Sequence, residues 1–123
     1  MATVELTKDN AEEVLTQNEL VFVDFWAPWC GPCKAFAPVF EKAAEAHADA
    51  VFAKVNTDDE PELASTFNIT SVPTLMAFRE QIGVFSQPGA LPEASFEDLI
   101  NQVKQLDMDE VRSKIAEQEG AQS

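Results

Sequence analysis

The sequence predicts an α/β fold: a central mixed β-sheet of about five strands, flanked by helices on both faces. Three observations predict it. Apolar segments of strand length alternate with segments whose apolar residues recur every three or four positions. One strand candidate, Leu20 to Trp26, is almost wholly apolar, the pattern of a strand buried on both faces. Two further candidates, Thr74 to Arg79 and Ile82 to Ser86, have so little chain between them that they form a hairpin.

The elements follow in order. Val4-Glu5-Leu6 reads as a short first strand, and Thr7 is placed to cap a helix through Val14 and Leu15. After the Leu20 to Trp26 strand, a helical stripe of Phe36, Val39, Phe40, Ala43 and Ala44 marks a helix from Cys33 to about Ala48. Pro38 falls inside it and removes one backbone hydrogen bond, predicting a kink. Val51 to Val55 is the next strand. Pro61 to Phe67 fits a short helix opened by proline in its first turn. The hairpin comes next, and Phe96, Leu99, Ile100, Val103 and Leu106 then mark an amphipathic helix. Beyond Asp107, Met108, Val111 and Ile115 keep helical spacing, with Gly120 placed to stop a helix. Residues 1–106 are read as the domain and 107–123 as a C-terminal extension, helical or frayed, because termini are usually loosely held. A lid or partner-binding arm is the alternative for that tail.

A chain of 123 residues with 46% hydrophobic content suits one domain with a single core. Its formal net charge of −14 disfavours nucleic acid and anionic membranes, since phosphate binding needs clustered Lys and Arg. Residues 1–19 carry several acids and no apolar run of a secretory signal, and nothing approaches a membrane span, so a cytosolic protein is expected. The only cysteines are Cys30 and Cys33, and in a reducing cytosol such a pair is catalytic or metal-binding rather than structural. A structural zinc site needs about four ligands, and the chain adds only His47, so no metal is expected. His47 reads as a solvated residue near a helix C-terminus, where its positive form suits the dipole.

A dithiol reductant needs one ionised, accessible thiol and a second close enough to resolve the mixed disulfide. Cys30 comes at the start of a helix, where unpaired N–H groups favour a thiolate. Cys33 lies about one turn later on the same face, within disulfide range. Gly31 lets a substrate backbone approach, and Pro32 suits a helix start and stiffens the pair. The alternative, two buried core thiols, fits poorly with Trp29 and Pro32 around them. Asp24 is the only charge in its strand. If that strand is central, burial holds the carboxyl neutral nearer pH 7, where it can exchange a proton with the resolving thiol, directly or through one water. Otherwise it is a strand-end aspartate facing solvent. Lys54, a lone cation in an apolar strand, either pairs with Asp24 and opposes that rise or snorkels from the sheet end.

The segment Val23-Asp24-Phe25-Trp26-Ala27-Pro28-Trp29-Cys30-Gly31-Pro32-Cys33-Lys34 closely resembles the active-site signature of the thioredoxin family. The likeness continues in Lys54-Val55-Asn56-Thr57-Asp58, in Ile69-Thr70-Ser71-Val72-Pro73-Thr74-Leu75 and in Gly89-Ala90-Leu91, and covers about residues 3–106. The resemblance implies the thioredoxin fold and protein disulfide reduction. Cys30 would attack, Cys33 resolve, and Asp24 serve as buried acid–base group with Lys54 beside it. Pro73 would follow a cis peptide bond and sit against the cysteines. Trp29, Gly31, Pro32, Val72, Pro73, Thr74, Gly89 and Ala90 would form the substrate surface, with the Val72 backbone pairing with an extended client segment. No bound cofactor is implied. The redox-active Cys30–Cys33 disulfide would be recharged by thioredoxin reductase, an NADPH-dependent flavoprotein. Other partners would be oxidised client proteins, and a monomer is expected. Two departures stand out. Arg79-Glu80-Gln81-Ile82 replaces the family's glycine-containing turn, so either Gln81 takes a positive φ under strain or the turn is wider and uses Gly83. Gln87-Pro88 replaces a valine-like neighbour before Gly89.

Two other functions compete with the reductase. A disulfide oxidase or isomerase on the same fold would want an oxidising compartment. A redox-switched binding module would hold a partner on the apolar patch near Pro73.

Overall fold

The structure, a computed structural model, describes residues 2–122. Ten elements alternate along it: β1 (Thr3–Glu5), α1 (Ala11–Gln17), β2 (Leu20–Trp26), α2 (Gly31–Ala46), β3 (Val51–Asn56), α3 (Pro61–Thr66), β4 (Thr74–Arg79), β5 (Ile82–Pro88), α4 (Glu93–Lys104) and α5 (Met108–Gln122). The strands form one five-stranded sheet in the order β1-β3-β2-β4-β5. β3 runs parallel to β1 and β2, whereas β4 is antiparallel to β2 and β5. The sheet is therefore mixed, with β2 in its centre.

Because side chains alternate along a strand, β2 feeds two separate cores. Leu20 and Phe22 face α2 and α4, meeting Phe36, Phe40, Phe96 and Ile100. Val21, Val23 and Phe25 face the other way, against α1 and α3 through Ala11 and Leu63. The first core is dominated by aromatic rings: Phe40 stacks on Phe96 at 5.8 Å, and Phe22 on Phe52 at 5.1 Å. Fully burying such side chains contributes about 1.5–3 kcal/mol each.

Local details differ from expectation in three places. The cap of α1 is Asn10, not Thr7. A turn intervenes after Leu6, and the Asn10 side chain ties it together, accepting from Thr7 N at 2.8 Å and donating to Glu5 O at 2.9 Å. His47 is not solvated. It ends α2 with a side chain only 13% exposed, held between Glu97 Oε2 at 2.8 Å and Lys104 Nζ at 2.7 Å. Since an ammonium can only donate, Nδ1 accepts from Lys104 and Nε2–H donates to Glu97, which selects the neutral imidazole tautomer. Gly120 does not stop α5, which runs through it to Gln122. A glycine within a helix costs only about 1 kcal/mol relative to alanine, so it weakens the helix without ending it.

At the hairpin turn the sequence left two options, and the structure takes the first, a positive φ at Gln81. Arg79 pairs with Ile82, so the loop is the two residues Glu80 and Gln81, and both take positive φ, 51° and 70°. Gly83 lies within β5 opposite Phe78, beside a register shift that leaves room for one extra residue. Tertiary contacts hold the glycine-free turn. Glu80 N donates to Glu19 O at 2.8 Å, and Arg112 Nη1 donates to Glu80 Oε1 at 2.7 Å. Left-handed backbone costs a residue with a Cβ about 1–2 kcal/mol, part of which glycine returns through its looser unfolded chain. Gln81→Gly is expected to stabilise the fold by about 0.5–1 kcal/mol. Thermal unfolding checks this, with a midpoint raised by a few degrees as the expected result.

Candidate active site

The site forms where β2 ends and α2 begins. Chain leaving the sheet at Trp26 reaches Cys30, whose backbone is extended (φ −91°, ψ 111°) and which caps α2. The Cys30 sulfur accepts from Cys33 N at 3.2 Å, so a helix-terminal N–H points at this sulfur. Cys30 and Cys33 are joined as a disulfide with Cα atoms 5.2 Å apart. α2 starts at Gly31, two positions before Cys33, because the cap lies at Cys30 and Pro32 falls in the first turn. Gly31 and Pro32 are exposed, and a Cβ at Gly31 would meet nothing within 4 Å. Pro38 lies within the helix.

Around the sulfurs, Ala27 and Val72 pack against the pair. The Val72–Pro73 bond is cis, and Pro73 is buried. Pro73 O accepts from Gly89 N at 2.8 Å, which draws the end of β5 to the site, and Gly89 itself has φ 105°. Thr74 is buried, and its hydroxyl donates to Ser71 O at 2.7 Å, so it braces the turn before the cis bond. Gly89 and Ala90 are exposed. Trp29 is 70% exposed, with Nε1 donating to Asp58 Oδ1 at 3.3 Å. A groove of about 160 Å³ runs between Trp29 and Val72, floored by Ala64 and Ile69.

Asp24 lies beneath this surface, only 1% exposed. Neither carboxylate oxygen has a hydrogen-bond partner among the described residues. Burial raises its pKa from 3.8 to about 7, and the Lys54 charge opposes part of that rise. Lys54 stands opposite Asp24 in the β2–β3 register, so both side chains leave the same face. Its ammonium lies 5.2 Å from the Trp26 ring centre and 4.0 Å from Glu41 Oε1.

The structure thus gathers Cys30, Cys33, Gly31, Pro32, Val72, Pro73, Gly89 and Trp29 around one surface, with Asp24 and Lys54 below the sheet end. Asp58, Ile69 and Glu41 were not singled out by sequence reasoning. Asp58 and Ile69 sit inside the matched segments, but nothing local distinguishes them. Glu41 is one of several acids on an exposed helix face, and only the packing of α2 across the sheet brings it to Lys54.

A cysteine pair at a helix N-terminus, beside a cis proline on a mixed sheet, defines a thiol–disulfide oxidoreductase. The family model described as "Thioredoxin" matches residues 2–117, and the chain belongs to the thioredoxin family. "Putative thioredoxin 2" of Streptomyces coelicolor is 62% identical over 118 residues, covering 96% of this chain and 88% of that protein. Thioredoxin of Alicyclobacillus acidocaldarius is 45% identical over 105 residues, covering 85% of this chain and 100% of that protein. Among solved structures, a mutant thioredoxin from Halobacterium salinarum superposes with TM-score 0.79 at 34% identity, covering 85% of this chain and 93% of that one. Membership makes the protein a protein disulfide reductase that works through its own cysteine pair and needs no cofactor. Among the described residues no group of three or more His, Cys, Asp or Glu could hold a metal, and no helix is long and apolar enough to cross a membrane.

Asp24 gives this site a pH signature. The unfolded chain releases the Asp24 proton near pH 3.8, whereas the folded one keeps it to about pH 7. Its contribution to stability is fully present below 3.8 and is lost as pH rises through 7. The loss amounts to about 4 kcal/mol. Denaturant unfolding of Asp24→Asn checks it: relative to the parent, the variant gains stability progressively from pH 4 to pH 8. A constant difference between the two proteins across that range would contradict the burial account.

Proposed function

We propose that Cys30 is the attacking thiolate, Cys33 the resolving thiol and Asp24 the group that takes the Cys33 proton. The Cys33 amide directed at the Cys30 sulfur carries this reading, because it stabilises charge at Cys30 rather than at Cys33. The Cys30 thiolate attacks one sulfur of a client disulfide, forming a mixed disulfide and expelling one client thiolate. Cys33 gives its proton to the Asp24 carboxylate through one intervening water, and its sulfur then attacks Cys30. The second client thiolate leaves, and the Cys30–Cys33 disulfide holds the oxidation. Two electrons have passed from dithiol to client. A carboxyl that titrates near 7 is matched to this exchange at neutral pH. Lys54 modulates Asp24 across the strand pair.

The client lies across Trp29, Gly31, Pro32, Val72, Pro73, Gly89 and Ala90, with Thr74 bracing the loop. Among the described residues the Val72 backbone has no hydrogen-bond partner, which leaves it available to an extended client segment. Thioredoxins work with thioredoxin reductase and client proteins. For this chain, a thioredoxin reductase that draws on NADPH through a flavin restores the dithiol. A reducing compartment, the cytoplasm, suits a dithiol that must stay reduced between encounters. The catalytic domain is residues 1–106, acting as a monomer, and 107–123 is an extension.

Two variants test the assignment. Cys30→Ser abolishes insulin reduction in the presence of dithiothreitol. Cys33→Ser accumulates covalent complexes with many oxidised proteins, which dithiothreitol releases. Reversal of these phenotypes would swap the roles of the two cysteines, and a single thiol-independent partner would favour a binding module instead.

A further inference from the structure

The cation beside Asp24 does not stand alone. Glu5, Lys54 and Asp24 occupy matched positions on β1, β3 and β2, a transverse row on the face covered by α2 and α4. From β4, Leu75 faces Asp24 and adds no charge. Glu41 on α2 approaches the row from above, with Oε1 4.0 Å from Lys54 Nζ. Glu5 lines the same groove of about 280 Å³ with Trp26, Thr3, Val4 and Lys54. The row's one ammonium therefore has the Glu41 carboxylate and the Trp26 ring within reach, and the buried Asp24 carboxyl opposite it in register.

Asp24 holds no hydrogen bond to Lys54, since neither of its oxygens has a partner among the described residues. The Lys54 side chain instead lies over the Trp26 ring, with its ammonium within ion-pair range of Glu41. A four-carbon side chain with three donors is free to turn toward either carboxyl group, so what holds its outer end decides how strongly it acts on the inner one.

We propose that Glu41 is a positioning residue, holding the Lys54 ammonium at the sheet rim over Trp26 and so limiting its pull on the Asp24 proton. Removing the Glu41 charge frees Lys54 to lean inward. The Asp24 carboxylate then becomes easier to form. The functional consequence rests on the proposed proton exchange between Asp24 and Cys33. The geometry itself does not.

The test is a carbon NMR titration of the Asp24 carboxyl in the oxidised protein, a readout that needs no catalytic role. In Glu41→Gln the midpoint moves down by about half a pH unit, the size of one charge acting across a partly wet boundary. Glu41→Gln made in a Lys54→Met background produces no further movement, because the effect passes through Lys54. Glu45→Gln, the same charge change one turn along the exposed face, leaves the midpoint in place. An unmoved midpoint in Glu41→Gln overturns the proposal, as does an equal displacement without Lys54 or in Glu45→Gln. The reduced protein separates this from the functional reading. With an aromatic disulfide reagent, release of the second chromophore reports attack by Cys33. If the carboxyl midpoint moves while the pH dependence of that release does not, the positioning role stands and the proton-exchange role of Asp24 falls.

Discussion

β2 is bonded on both edges, to β3 on one side and β4 on the other, and its two faces are covered by different helices. Asp24, the Cys30–Cys33 turn and the cis-proline turn take their places from that strand. Its interior position buries Asp24 with no hydrogen-bond partner among the described residues. Its end delivers the chain to Cys30, where the first turn of α2 points an amide at sulfur. β4, its antiparallel neighbour, begins directly after the cis bond at Val72–Pro73 and so brings that turn to the same sheet end. A strand at the sheet's edge would have left Asp24 hydrated, with an ordinary carboxylate titration.

Two electrostatic devices then act on neighbouring groups in opposite senses. The helix-terminal amide is directed at the buried Cys30 sulfur, whereas desolvation favours a neutral carboxyl at Asp24. Lys54 sits between these two regimes, partly exposed and tied outward to Trp26 and Glu41. The apolar surface around Trp29 and Val72 adds contact area without adding charge.

Much of this was legible in the sequence because the signals were local. An almost wholly apolar run identified β2, helical periodicity identified α2 and α4, and the spacing of Cys30 and Cys33 placed both on one turn. The single charge in that run marked Asp24, although burial could only be inferred once β2 was known to be central. What escaped were contacts between residues far apart in the chain. His47 looked like a solvated helix end, yet it is held by Glu97 and Lys104 from α4. The Glu80–Gln81 turn departs from glycine preference because Glu19 and Arg112 hold it. One miss was local: Thr7 looked like a cap, but the competing side chain of Asn10 reaches both Thr7 and Glu5.

The proposed chemistry depends on the first turn of α2 holding Cys30, and not Cys33, as a thiolate. The most direct measurement is the rate at which iodoacetamide alkylates each cysteine of the reduced protein as a function of pH, read by peptide mass. Cys30 is expected to react first, with a midpoint well below the value of about 8.5 typical of a free thiol. A Cys30 midpoint at that free-thiol value, or faster reaction at Cys33, would contradict it.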